Sequence, residues 1–229
     1  MKPLRAWRVV GLSAVTAAAL LSASLAEAPA SLGHSPASVF YTTSGTNPWG
    51  KWPQYSTSHY RIRSGFPSNA YYNRIVEAHP SWNSADAGIG PDFVYDGVTT
   101  STGSITNPCS ASFSAVYWDS LPDSPSALAV TYRCLNSSNQ ITRWSIGIDS
   151  DRPWYTGTDS PVSGTIDLVG VATHEFGHAT GWYPNHFASD PAVCPGTSAD
   201  QTMCAYAAGR ASHWRTLEVH DIHTFDSAY

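Results

Sequence analysis

The chain has 229 residues, with 12 Lys and Arg against 17 Asp and Glu, a formal net charge of −5, 42% hydrophobic residues and four cysteines. Beyond residue 28 it keeps a single lysine, Lys51, and its acidic residues are scattered, so nothing suits a phosphate backbone and no nucleic-acid partner is expected. The length suits one domain with a sizeable core, or two small lobes around a cleft.

Lys2, Arg5 and Arg8 precede an uncharged run over residues 9–26, followed by the small residues Ala26, Ala28 and Ala30. This pattern predicts a secretory signal peptide over 1–28; no basic stop-transfer cluster follows, so no membrane anchor is expected. Residues 29–57 are rich in Ser, Thr, Pro, Gly and Asn, with Trp49 and Trp52 as apolar anchors, and read as a leader or surface wrapping ahead of a domain over 58–229. Residues 59–63 alternate as a strand, Gly65 to Pro67 turns, and Ser68 can cap a helix running to His79, stopped by Pro80. Strands are predicted at 92–96, 113–118, 128–133, with Leu128, Val130 and Tyr132 on one face, and 144–148. A stretch over 182–213 shows no period. A last helix is predicted from about Arg215, where Val219, Ile222, Phe225 and Tyr229 follow helical spacing.

Between these parts lies the segment His174-Glu-Phe-Gly-His-Ala-Thr-Gly181. Residues four apart on a helix sit about 40° apart around its axis, so the rings of His174 and His178 can converge on one ion while Glu175 points beside it. Leu168, Ala172, Phe176 and Ala179 form the apolar face of the same helix and leave the two His on another. Gly181 can adopt the left-handed turn that ends a helix. His186 follows five residues later. Two histidine ligands with an adjacent carboxylate are the donor set of a zinc hydrolase.

All four cysteines, Cys109, Cys134, Cys194 and Cys204, lie downstream of the export signal, and oxidation is expected. Three pairings are possible; the sequence-local one, Cys109 with Cys134 and Cys194 with Cys204, is favoured over a cysteine-ligated metal because no CxxC pair exists. Asp149, Asp151 and Asp159 surround Pro153 to Tyr155 and are candidate calcium ligands, against the plainer reading of turn chemistry. His213, His220 and His223 read as surface or partly buried histidines rather than a second zinc site.

The order strand, helix, four strands, then VATHEFGHATG, then Thr202-Met203-Cys204 and a closing helix around residues 215–222, resembles the metzincin metalloproteases, and within them a secreted bacterial matrixin-type peptidase. The resemblance spans roughly residues 55–229. It implies an α+β zincin fold: a twisted five-stranded mixed sheet with two helices, over a smaller irregular C-terminal lobe with one helix. His174 and His178 match the first two zinc ligands, Glu175 the general base, Gly181 the turning glycine, and Met203 the methionine of the turn beneath the metal. The fourth strand, about 128–133, would be the edge that takes substrate by β-addition. At the third ligand the chain departs from the pattern, for Pro184 stands where a His is expected. His186, two residues on, is the first choice, because the longer hop adds only about 7 Å of extended chain; Asp190 and Glu218 are the alternatives. Tyr206 either donates to the oxyanion or packs the turn.

The resulting expectation is a secreted, monomeric zinc endopeptidase acting on polypeptides. A zinc amidase with a cell-wall substrate and a non-catalytic binding module are the rivals; Glu175 speaks against the second, since a structural site needs ligands but no base.

Overall fold

The computed structural model describes residues 41–42, 50–85, 90–121, 124, 126–181, 202–204, 212–218, 221–222 and 225. The segment read as a signal peptide, 1–28, lies outside the described residues. Among the described residues no helix is long and apolar enough to cross a membrane.

All five expected strands are present: β2 (Thr57–Arg63), β3 (Asp92–Thr99), β4 (Ser114–Asp119), β5 (Ala129–Leu135) and β6 (Ile141–Asp149), preceded by a two-residue β1 (Tyr41–Thr42). They form one mixed sheet in the order β1-β5-β6-β4-β2-β3. β2, β3, β4 and β6 run parallel to one another, while β5 is antiparallel to β6. That reversal is local: residues 136–140 make a tight turn in which Asn136 Oδ1 accepts the N–H groups of Ser138 and Gln140, both at 2.9 Å, and Asn139 takes φ 59°. β1, which no periodicity could reveal in two residues, lies parallel to the end of β5, with Tyr41 opposite Cys134 and Thr42 opposite Leu135.

The helix expected to run from residue 68 to His79 is two pieces. α1 (Asn69–Val76) ends early, and α2 (Pro80–Asn83) begins at the proline read as a stop. Proline has no backbone N–H, and a residue in the first turn of a helix needs none, so Pro80 opens a helix as readily as it closes one. A second two-stranded sheet, β7 (Trp154–Tyr155) parallel to β8 (Ile166–Asp167), leads directly into α3 (Leu168–Ala179). The closing helix also starts later than Arg215: residues 212–215 form a 3-10 turn, and Ile222 N–H bonds Glu218 O at 3.1 Å. Asp221 Oδ2 accepts Glu218 N–H at 3.0 Å, a side-chain bond of the capping-box kind.

The core sits between one sheet face and α3. β2 alternates exposed and buried residues, pointing Tyr60 and Ile62 inward, whereas β4 and β6 are buried along nearly their whole length, as central parallel strands should be. Phe176 of α3 meets the rings of Phe93, Tyr60 and Trp144 edge-on at centroid distances of 5.1, 5.3 and 5.4 Å. Trp52, within the segment read as leader or surface, is buried in the same core. On the opposite face the Cys109–Cys134 disulfide ties the loop before β4 to β5, and Arg143 donates to Cys109 O at 3.2 Å.

Candidate metal centre

α3 carries the motif and is held along its length. Asp167 caps it, Oδ2 accepting Gly170 N–H at 3.1 Å. Arg215 grips the same carboxylate with two bonds, Nε to Oδ2 at 2.8 Å and Nη2 to Oδ1 at 2.7 Å, and spends its remaining donors on the carbonyls of residues 157–159. The Trp82 indole donates to Thr173 O at 2.7 Å and the Trp52 indole to Ala179 O at 2.8 Å, the latter satisfying a carbonyl that a helix end leaves open. Gly181 takes φ 112°, and a Cβ there would lie 2.8 Å from Gly50 O, so the turning glycine is required on both counts. The face that carries the two histidines is covered as fully as the apolar face, because all twelve residues of α3 are buried. The sheet covers one side, and the chain around Met203 and Trp214 covers the other.

His174 and His178 point their Nε2 atoms at each other, 2.9 Å apart. His174 Nδ1 lies 2.6 Å from Thr202 O. A carbonyl only accepts, so Nδ1 carries the proton and Nε2 keeps its lone pair, the tautomer of a ligating imidazole backed by a carbonyl. Two nitrogens on one tetrahedral zinc sit about 3.3 Å apart, so the pair fits an ion after opening by roughly 0.4 Å. Trp214, fully buried, stacks on the His174 ring at 5.8 Å and 25°, fixing its plane from the side.

Glu175 is 1% exposed. Thr131 of β5 donates its hydroxyl to Glu175 Oε2 at 2.6 Å, and the Thr131 hydroxyl also lies 3.2 Å from Glu175 O. Burial pushes the Glu175 carboxyl up to about 7, opposed by the bond from Thr131.

Beneath the histidines, Met203 is buried against α3. A Cβ on Gly177 would fall 2.3 Å from Met203 Sδ and 2.5 Å from Trp82 Cζ2, so glycine at 177 is what lets the methionine come so close. The turn is held by the carboxylate of Asp221, fully buried, which accepts Thr202 N–H at 2.9 Å and Met203 N–H at 3.3 Å besides the Glu218 N–H.

The structure places His174, His178 and Glu175 on one helix with Met203 packed against it at Gly177. His186, Asp190, Pro184, Tyr206 and Cys194 lie outside the described residues. Glu218 does not join the pair, since no group of three or more His, Cys, Asp or Glu able to hold a metal forms among the described residues. Cys204 is disulfide-bonded. The aspartates read as calcium candidates carry hydrogen bonds: Asp149 accepts Arg152 Nε at 2.7 Å, Asp151 accepts the Ser120 hydroxyl at 2.7 Å, and Asp159 accepts the Tyr155 hydroxyl.

Three contributors escaped the sequence reading: Thr131, Trp214 and Asp221. Only Thr131 left a signal, because strand alternation places it on the face opposite Val130 and Tyr132. Trp214 and Asp221 act on residues that only the fold brings near them.

The chain matches no protein-family model and no curated protein sequence. Among solved structures it is similar to the crystal structure of myroilysin, with 14% sequence identity and a TM-score of 0.39, over 87% of this chain and 94% of that one. A likeness of that strength identifies neither a family nor an activity.

Proposed function

We propose that this chain is a secreted zinc-dependent endopeptidase of the metzincin type. The observation that carries the reading is the convergence of His174 and His178, Nε2 to Nε2 at 2.9 Å, with the carboxylate of the adjacent Glu175 buried in the same helix. The Nδ1–H bond to Thr202 and the methionine below support it, as does the disulfide Cys109–Cys134 for an oxidising, extracellular setting. His174, His178 and His186 would hold the zinc, which when bound supplies Lewis acidity toward the scissile carbonyl and lowers the pKa of water.

The protein's own groups do the rest. Glu175 takes a proton from the attacking water and returns it to the leaving amine. β5, antiparallel to β6 and, among the described residues, paired on its other side only by the short β1 near its end, turns the main chain of Ala129 and Thr131 outward, where an extended polypeptide would add as a strand. Thr202 O keeps the His174 lone pair aimed at the site.

The test is zinc content and casein hydrolysis of the chain beyond residue 28, in the wild type and in His186→Ala, Asp190→Ala and Glu218→Ala. About one zinc per chain with proteolysis, both lost in His186→Ala alone, is the expected result. Wild-type zinc and rate in His186→Ala would remove that residue from the ligand set. Bound zinc without protein hydrolysis would shift the reading to an amidase on a non-protein substrate.

A further inference from the structure

We propose that Thr131 is a positioning residue that ties the Glu175 carboxylate to the sheet edge on which a substrate strand docks, an inference that rests on Glu175 being the general base. Two independent features of one residue carry it. The first is the pairing of β5 with β6. Asp149 N–H bonds Leu128 O at 3.0 Å, and the register continues with Ala129 opposite Ile148 and Thr131 opposite Ile146. In an antiparallel ladder every second residue turns its N–H and C=O toward the partner. Leu128, Val130 and Tyr132 therefore spend their backbone groups on β6, while Ala129 and Thr131 turn theirs to the outer side. β1 pairs there only with Cys134 and Leu135, and among the described residues no other strand pairs with β5 on that side.

The second feature is the side chain. It leaves the sheet toward α3 and places its single hydroxyl proton on Glu175 Oε2 at 2.6 Å, a shorter bond than the 3.2 Å to Glu175 O. The β-branched threonine is stiff about χ1, so the hydroxyl is a fixed point. It holds one carboxylate oxygen and leaves Oε1 for the water. A substrate strand hydrogen-bonded to the main chain of residue 131 is thereby registered against the base through one residue, without a separate clamp. Loss of such alignment costs rate rather than affinity.

The experiment compares Thr131→Val, which keeps the shape without the hydroxyl, with Thr131→Ser, which keeps the hydroxyl, using a fluorogenic peptide cleaved by the zinc-loaded protein. Thr131→Val is expected to lower kcat by about 10- to 100-fold, with KM within about threefold and zinc content unchanged, and Thr131→Ser to recover most of the rate. In the metal-free protein, the carboxyl 13C signal of Glu175, identified by its loss in Glu175→Gln, should move in Thr131→Val and return in Thr131→Ser. An unchanged kcat or an unmoved signal overturns the proposal. So does a fall in zinc content or thermal stability that accounts for the lost rate and that serine does not repair. The NMR measurement needs no activity, so a wild type without peptidase activity, or an active Glu175→Gln, sinks the base reading separately.

Discussion

Asp221 offers the sharpest test of how the centre is built, because one buried carboxylate supports both the methionine turn and the start of the closing helix. Its bonds to Thr202 N at 2.9 Å and Glu218 N at 3.0 Å are of normal length, and the one to Met203 N at 3.3 Å is weak. Backbone bonds to a charged acceptor contribute about 1.5–3 kcal/mol each, so Asp221→Ala, which leaves these donors buried, should cost about 3–5 kcal/mol. Asp221→Asn keeps one acceptor oxygen and turns an amide N–H₂ toward a backbone N–H, for a loss of about 2–3 kcal/mol. The second consequence runs through Thr202, whose amide bonds Asp221 and whose carbonyl takes the His174 Nδ1 proton. Disturbing a ligand's hydrogen-bond partner typically weakens metal binding by about 10- to 100-fold, and Asp221→Ala, which removes the acceptor of the Thr202 N–H, should fall in that range. Urea denaturation of the metal-free protein measures the first effect, and zinc competition against a chromogenic chelator measures the second. Wild-type values in both for Asp221→Ala would refute the assignment. Lower stability with unchanged zinc affinity would show that the turn is held by Asp221 but that its hold does not reach His174.

Two further outcomes follow from buried groups away from the centre. His79 is buried, takes a hydrogen bond with the Tyr60 hydroxyl at 2.9 Å, and burial lowers its pKa from 6.5 to about 4. Between these values the unfolded chain binds a proton that the folded chain refuses, so stability is full above about pH 6.5 and falls as the pH drops toward 4, by about 3 kcal/mol at most. His79→Gln should flatten the slope of unfolding free energy over that window in a urea series, and an unchanged slope would assign the acid sensitivity to other groups. The Cys109–Cys134 bridge spans 25 residues, for which chain entropy gives about 3.5 kcal/mol. Replacing both cysteines by serine should lower the unfolding free energy by about that amount, and a loss under about 1 kcal/mol would mean that the loop is ordered without it.

What the chain determined by itself was whatever depends on neighbours a few residues apart. The four-residue spacing of His174 and His178 sufficed to bring their Nε2 atoms together, the glycine at 181 to end the helix, and the alternation of β2 to point Tyr60 and Ile62 inward. These are properties of the backbone's own periods and of one residue's freedom in φ. Two signals were ambiguous in the same terms: Pro80 suits the first turn of a helix as well as the position beyond its end, and the two-residue β1 is too short to show a period. The tertiary structure decided the rest. It buried the histidine face of α3, set Thr131 on Glu175 across 44 residues, and brought Asp221 to Thr202 across 19. Those contacts depend on which strand lies beside which and on where the chain returns after α3. A window of sequence carries no record of that order, because hydrophobic burial is satisfied by many strand arrangements until the whole sheet closes on one.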